Sequence, residues 1–301
     1  MALMLLDHVR ETFYLHHPIG DPVDVEATAP ALFVTRLLAH LCAPVFVFLT
    51  GLSAWLYAAR QPRGRAAAAA FLLKRGLFLI VLELTLVNFA WTFSFPPQVL
   101  YLQIWAIGLS MLALAALLWL PRPLLALLGA LLVAGHNLLD GVQVHGDGPL
   151  AAAWALLHDR SWLQLGGLRL RTSYPLLSWI GVIALGYAAG PWYGAGTAPA
   201  QRQQRLLACA PGALALFHLL RWHNGYGDAP WRDHADIAHT AMSFFNLTKY
   251  PPSLLFLLPT LGAGLLLLRL YEPPRPALTP LAAIGAAPMF FYLLHRSALL
   301  H

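Results

Sequence analysis

The chain has 301 residues, 59% hydrophobic and 11% charged, with a formal net charge of +6 at pH 7. Soluble domains carry about 25% charged residues, so this composition, with a mean hydropathy of +0.63, excludes a soluble helical protein, which would leave too much apolar surface in water. Its basic residues sit in short stretches between apolar runs, which argues against a nucleic-acid interface and for a role in setting topology.

Apolar periodicity and Pro/Gly punctuation predict an all-α, polytopic membrane helix bundle of about nine spans in one domain, residues 1–301. The spans are 1–16, 31–59, 71–93, 98–120, 123–140, 175–191, 206–221, 252–270 and 279–301. The first run carries Asp7, His8, Arg10 and Glu11 and is followed by no small-residue cleavage site, so it reads as a span and not a signal peptide. Both ends read as truncations of longer helices. Cys42 and Cys209 fall in separate apolar runs and read as small buried hydrophobes.

In the second span Arg36 and His40 lie four residues apart, on one helix face. His40 is some nine residues into its run, roughly 14 Å at about 1.5 Å per residue. That depth is near the middle of a hydrocarbon core of about 30 Å. An ionisable group there must face a protein interior or a water-filled cavity. Asp7 in the first span and Glu83 in the third lie at a similar depth, so the three are expected to share a polar pocket. His8, Glu11, Arg36, Asn88, Gln103, His136, Asn137 and His295 also fall in the outer halves of their spans.

Lysine and arginine distribution sets the orientation. Arg60, Arg63, Arg65, Lys74 and Arg75, then Arg122, Arg202, Arg205, Arg269 and Arg275, mark one side of the bundle. The other side has long loops at 17–30, 141–174 and 222–251 that hold most of the aspartates. By the positive-inside rule the basic side is cytoplasmic and the pocket opens outward.

A carboxylate beside an imidazole orients the ring and raises its basicity, so Asp7 next to His40 reads as a general base for a hydroxyl or amine. His40 alternatively reads as a nucleophile that carries an acyl group. The histidines are scattered without metal-ligand spacing, so no metal is expected. In the outer loop, RWHNGYGDAPW at 221–231 and NLTKYPPS at 246–253 combine aromatic faces with Asn224, Asp228 and Lys249, a mixture that suits a saccharide; Tyr226 and Tyr250 supply ring faces. Three other readings stay open on these residues: an interhelical hydrogen-bond network, a proton-coupled transporter or permease, and a membrane scaffold. A transporter should show internal repeats, and none is visible.

Several motifs together resemble a known family. They are DHVR at 7–10, TRLLAHLCAPVFVFLTG at 35–51, KRGLFLIVLELTLVNFAW at 74–91 and QIWAIGLSM at 103–111. They continue with GHNLLD at 135–140, YPLLSWIGVIALGY at 174–187, NGYGD at 224–228, TKYPPSLLF at 248–256 and FYLLH at 291–295. In this order they resemble the bacterial branch of the heparan-alpha-glucosaminide N-acetyltransferase catalytic-domain family, along essentially the whole chain. The family's Arg-Gly-terminated opening before the first span is absent, as is its closing helical part.

The resemblance implies an acyl-CoA-dependent transmembrane acyltransferase of the bacterial inner membrane. Its donor is acyl-CoA, in the main acetyl-CoA, taken from the cytoplasm, and its acceptor is a glycan amine or hydroxyl outside. It implies a catalytic histidine in the loop after the first span, where His16 and His17 stand, while His40 and Asp7 belong to the bacterial pattern; His8, beside Asp7, is a further catalytic candidate. Arg60, Arg63, Lys74 and Arg75 are then expected to hold the coenzyme A phosphates. Arg36, Glu83, Asn88, His136, Asn137, Asn224, Tyr226, Asp228, Lys249, Tyr250 and His295 are expected to line the acceptor side.

Overall fold

A computed structural model describes residues 1–13, 20–92, 94, 96–146, 148–273 and 276–299, apart from the side chains of Glu11, Leu165, Ala277 and Arg296. The helices in order are α1 (Ala2–Phe13), α2 (Pro30–Ala39), α3 (Cys42–Arg60), α4 (Arg65–Leu82), α5 (Asn88–Thr92), α6 (Trp105–Leu117) and α7 (Arg122–Gly135). They continue as α8 (Pro149–Leu157), α9 (Leu176–Ala189), α10 (Pro199–His223), α11 (Ile237–Phe244), α12 (Leu254–Tyr271), α13 (Thr279–Ala286) and α14 (Pro288–Leu299). Four helical stretches are long and apolar enough to cross a bilayer: Pro30–Arg60, Arg122–Leu139, Leu176–Tyr193 and Leu254–Tyr271. The fold is therefore a largely helical membrane protein.

Helix α9 lies at the centre, with Trp179, Val182, Ile183 and Ala184 at 1% exposure or less, and packs against α3, α6 and α7. Apolar side chains gain little by meeting each other instead of lipid, so close backbone approach between small residues has to supply the packing. Three reciprocal glycine contacts do this. A Cβ built on Gly51 of α3 would stand 2.0 Å from the Ile183 carbonyl oxygen of α9, and one on Gly186 of α9 would stand 2.0 Å from that of Phe48. Gly129 and Gly181 join α7 to α9, and Gly76 and Gly108 join α4 to α6, in the same reciprocal way. Around this core the outer faces present Leu77, Phe78, Val81, Leu124, Leu127 and Leu131, each more than half exposed, as a lipid-facing surface should.

Several expected elements differ. The run 98–120 divides into a strand, β1 (Val99–Leu102), and α6. Short apolar runs do not distinguish strand from buried helix by periodicity, and here β1 finds a partner. The stretch 141–174, expected as a loop, contains α8 and a hairpin of β2 (Trp162–Leu165) and β3 (Leu168–Thr172). Its two-residue turn is Gly166–Gly167, with Gly166 at φ +61°, and Gly-Gly between alternating apolar residues is a recognised hairpin signal. β3 pairs antiparallel with β2 and parallel with β1, so a three-stranded sheet in the order β1-β3-β2 caps one end of the bundle. The run 279–301 breaks at Ala287 (φ −127°, ψ 60°), because Pro288 disfavours helical backbone in the residue before it.

The two ends have different character. Residues 20–28, the sheet, the turn after α7 and the segment from Asn224 to Ser253 gather at one end. They are tied there by Asn246 to Val23, Asn137 to Leu254, and Tyr226 to Ala134. The turn between α3 and α4 and the ends of α9 and α12 meet at the opposite, basic end, where Arg202 pairs with Glu272.

Candidate active site

His40 sits where the long second span falters. In a continuous helix the N–H of residue 44 would bond the carbonyl of residue 40, but residue 44 is proline, which lacks that N–H and crowds the carbonyl four residues back. The helix accordingly breaks into α2 and α3 at His40 and Leu41. The imidazole is 3% exposed, and neither Nδ1 nor Nε2 has a hydrogen-bond partner among the described residues. It meets the edge of Phe256 at 4.9 Å between centroids, and the charges acting on it are those of Lys249, Arg36 and Arg10.

Asp7 does not orient this ring. Its carboxylate receives Arg10 at 2.5 Å, one helical turn along α1, and faces the Lys249 ammonium at 3.6 Å. Two cations outcompete a neutral imidazole for a buried carboxylate, because charge-assisted contacts are the stronger. Arg36 is likewise held from outside the expected set. Its guanidinium pairs with Asp21, which also accepts the backbone N–H of Tyr250 at 2.9 Å and of Lys249 at 3.2 Å. Burial pushes the Asp21 carboxyl above its ordinary pKa, against the opposing pull of Arg36 and the Lys249 N–H. Through this one carboxylate the 248–253 segment is fixed onto α2. Tyr250 then meets the Tyr174 hydroxyl at 3.2 Å, with the Arg160 guanidinium 4.7 Å above its ring.

His8 and His295 join α1 to α14. His295 Nδ1 lies 2.5 Å from the Phe291 carbonyl and must carry its proton, so in the neutral pair Nε2 accepts from His8 Nδ1 at 2.6 Å. The two rings stack at 4.9 Å, with Trp91 and Tyr292 edge-on to His8.

Glu83 does not share the pocket of Asp7 and His40. A π-helical turn over Glu83–Val87 directs its carboxylate to the start of α6, where Oε2 accepts the N–H of Ile104 at 2.5 Å and of Trp105 at 3.2 Å. It therefore serves as a remote cap for a helix whose first N–H groups have no intrahelical partner. Asn88 at the end of the same turn accepts the Tyr101 N–H at 2.8 Å and donates to the Glu83 carbonyl at 2.6 Å, which anchors β1.

The other expected acceptor residues collect at the loop-rich end. Arg221, 1% exposed, donates to the carbonyls of Phe244, Ala229, Ser243 and Asn246 and so organises the whole segment, with no carboxylate partner among the described residues. Asn224 ends α10 in the left-handed region (φ 59°) and clasps both backbone groups of Trp231 at 2.9 Å. The Asp228 carboxylate accepts from Thr248 and Ser253. Asn137 accepts the Leu254 N–H and donates to Asp140. His136 gives Nδ1–H to the carbonyls of Leu132 and Val133 at 3.1 Å each, and its Nε2 has no partner among the described residues. Asn137, Asp228 and Ser253 border a polar cavity of about 310 Å³.

At the basic end Arg60, Arg63, Lys74 and Arg75 are all exposed and form no ion pair among the described residues, Arg75 lying 5.2 Å over the Phe71 ring. Free cations on one turn and the following helix suit a pyrophosphate by charge. His17 lies outside the described residues. No local signal marks Asp21 or Arg221 as organising residues, since their partners are 15–229 and 8–25 positions away. The spacing of Asp7 and Arg10, by contrast, is legible as an i,i+3 pair. Among the described residues no three His, Cys, Asp or Glu side chains converge as metal ligands.

Comparison with known proteins gives one finding. The family model described as "Heparan-alpha-glucosaminide N-acetyltransferase, catalytic" matches residues 12–219. No curated protein and no solved structure matches.

Proposed function

The chain belongs to the heparan-alpha-glucosaminide N-acetyltransferase catalytic family, a family of membrane acetyltransferases, and from that premise we propose that it moves an acetyl group from cytoplasmic acetyl-CoA to a saccharide amine or hydroxyl on the far side of the membrane. Acetyl transfer breaks the thioester C–S bond and forms a C–N or C–O bond. The departing sulfur takes up a proton and the acceptor gives one up, so the reaction is redox-neutral and needs a proton relay. His40 fills that role, as base or as transient acyl carrier. The observation that carries the assignment is a buried imidazole, at a proline-broken point of a membrane span, with neither nitrogen engaged by a described residue. Arg10, Arg36 and Lys249 around it supply positive charge for the oxyanion of the tetrahedral intermediate. Asp7 acts on this site through Lys249 and Arg10.

Arg60, Arg63, Lys74 and Arg75 hold the coenzyme A phosphates in this reading, supported by their exposure and lack of ion pairs. The nine-span topology, with the loop-rich end outward, follows the placement of the basic residues. The test uses proteoliposomes given acetyl-labelled CoA and amino sugars. His40→Ala should lower label transfer by about a hundredfold or more, the usual scale for removing a general base. Wild-type transfer in that variant would end the assignment. His17→Ala in parallel separates the two histidines, and absence of transfer by the unmodified protein would overturn the acetyltransferase reading in favour of transport.

A further inference from the structure

Arg160, Arg169 and Arg171 gather at the sheet, on the end that the positive-inside rule turns away from the cytoplasm, so topology does not account for them. Side chains alternate between the two faces of a strand. The pairing register aligns Tyr101, Arg171 and Trp162 in one row of a face and Val99, Arg169 and Gln164 in the next. The opposite face is formed by leucines and Thr172, with Leu100 and Leu102 in the main apolar core. The arginine face is therefore turned away from the core, and Arg169 and Trp162 are exposed on it.

These guanidiniums rest on rings and not on carboxylates. Arg169 lies 4.6 Å and Arg171 5.4 Å over the Trp162 ring, and Arg160 lies 4.7 Å over Tyr250. Stacking occupies the flat face of a guanidinium and leaves its N–H edge free to donate. None of the three is in an ion pair among the described residues, and Arg160 Nε is buried with no hydrogen-bond partner there. Burial first, and the Arg171 charge second, hold Arg160 below its ordinary pKa. Asp21, the carboxylate that acts on Arg160, is already engaged by Arg36 and the Tyr250 N–H. The sheet also begins where a lipid-facing helix ends. Leu84, Leu86 and Phe89 are exposed there, and the neighbouring Asn88 accepts the Tyr101 N–H. A ladder of rings runs from Trp91 to Tyr101 at 6.5 Å and on to Trp162 at 6.1 Å. Tryptophan and tyrosine concentrate where a bilayer meets water, so the arginine face stands at headgroup level.

We propose that this face binds the phosphodiester of an anionic phospholipid of the outer leaflet, with Arg169 and Arg171 donating to the phosphate oxygens and Arg160 adding its charge. Residues two apart on a strand stand about 6.6 Å apart, and charge-assisted bonds of about 2.8 Å from either side reach one phosphate between them. The apolar strip at Leu86 and Phe89 receives an acyl chain. A zwitterionic headgroup carries an ammonium of its own, which the guanidiniums repel, and a free phosphate has no chain for the strip. A bound phosphate also offsets the repulsion between Arg160 and Arg171, so occupancy stabilises the folded chain.

The experiment is equilibrium binding of dioleoyl phosphatidylglycerol and dioleoyl phosphatidylcholine to the full chain in an uncharged detergent, without acetyl-CoA, with melting temperature read in parallel. Phosphatidylglycerol should bind at least about tenfold tighter than phosphatidylcholine and raise the melting temperature, and inorganic phosphate at equal concentration should not displace it. Arg169→Gln and Arg171→Gln should each weaken phosphatidylglycerol binding by about fivefold, the worth of one cation at an anionic membrane surface, and the double variant by about twentyfold. Arg122→Gln, which removes an exposed cation at the opposite end, should leave the affinity within about twofold of wild type. Arg169 is exposed, so its variant keeps the test decisive even if Arg171→Gln fails to fold. Equal affinity for the two lipids, or wild-type affinity in Arg169→Gln, overturns the proposal. Displacement by inorganic phosphate assigns the arginines to a free anion and overturns the lipid assignment. No acetyl donor is present, so the acetyltransferase reading stands or falls separately.

Discussion

The contact between α3 and α9 can be tested by a single methyl group. In Gly51→Ala the new Cβ would stand 2.0 Å from the Ile183 carbonyl oxygen and 2.8 Å from the Tyr187 nitrogen, where ordinary contact begins at 3.4 Å. The helices must therefore part by about 1.4 Å along that line, the difference between 3.4 and 2.0 Å. The opposing atoms are backbone, and α9 cannot retreat because Gly181 clasps it to Gly129 of α7 on its other side. Overpacking of this kind costs about 1–3 kcal/mol, and the depth of the clash puts Gly51→Ala at the upper end. At roughly 2–4 °C per kcal/mol, the melting temperature in detergent should fall by about 6 °C or more. Gly186→Ala should match it, because its Cβ would meet the Phe48 carbonyl at 2.0 Å. The double variant should cost clearly less than the sum, since one separation accommodates both methyls. Gly212→Ala, in α10 with nothing within 4 Å, is the control and should gain about 0.5–1 kcal/mol from helix propensity. A melting temperature for Gly51→Ala within 1 °C of wild type would refute the reciprocal glycine contact.

Glu83→Ala leaves the Ile104 and Trp105 N–H groups without their acceptor and should destabilise by about 1–2 kcal/mol, whereas Glu83→Gln, which keeps an acceptor oxygen, should recover at least half of that. Equal losses in the two variants would disprove the cap. The raised pKa of Asp21 makes a signed prediction. The folded state binds this proton at a pH where the unfolded state does not, so wild type should gain stability relative to Asp21→Asn as pH falls through the folded value toward about 3.9. A wild type that loses stability relative to Asp21→Asn on acidification would count against burial as the dominant influence on Asp21. Asp21→Ala should be worse than Asp21→Asn at pH 7, because it removes the acceptor of the Tyr250 N–H, and thermal melts compare them directly.

Helix content, membrane residence and the family were legible in the sequence because hydropathy and the spacing of motifs are properties of the chain alone. The same holds for the cost of burying His40, since an imidazole in an apolar run is costly wherever it points. The break inside the 31–59 run was not expected, although Pro44, whose effect reaches four residues back, accounts for it. Partner choice was another matter. Asp7 and Glu83 match His40 in depth along their helices, yet depth says nothing about rotation or about what competes for a carboxylate. Lys249 and Arg10 claimed the first, and the bare N–H groups of α6 claimed the second. Asp21 and Arg36, His8 and His295, and the walls of the polar cavity are joined across up to 287 residues. Such contacts depend on which helix faces meet once Gly51 and Gly186 let two backbones touch. Electrostatic and hydrogen-bond partners are decided at distances of about 3 Å, and only the packed bundle sets those.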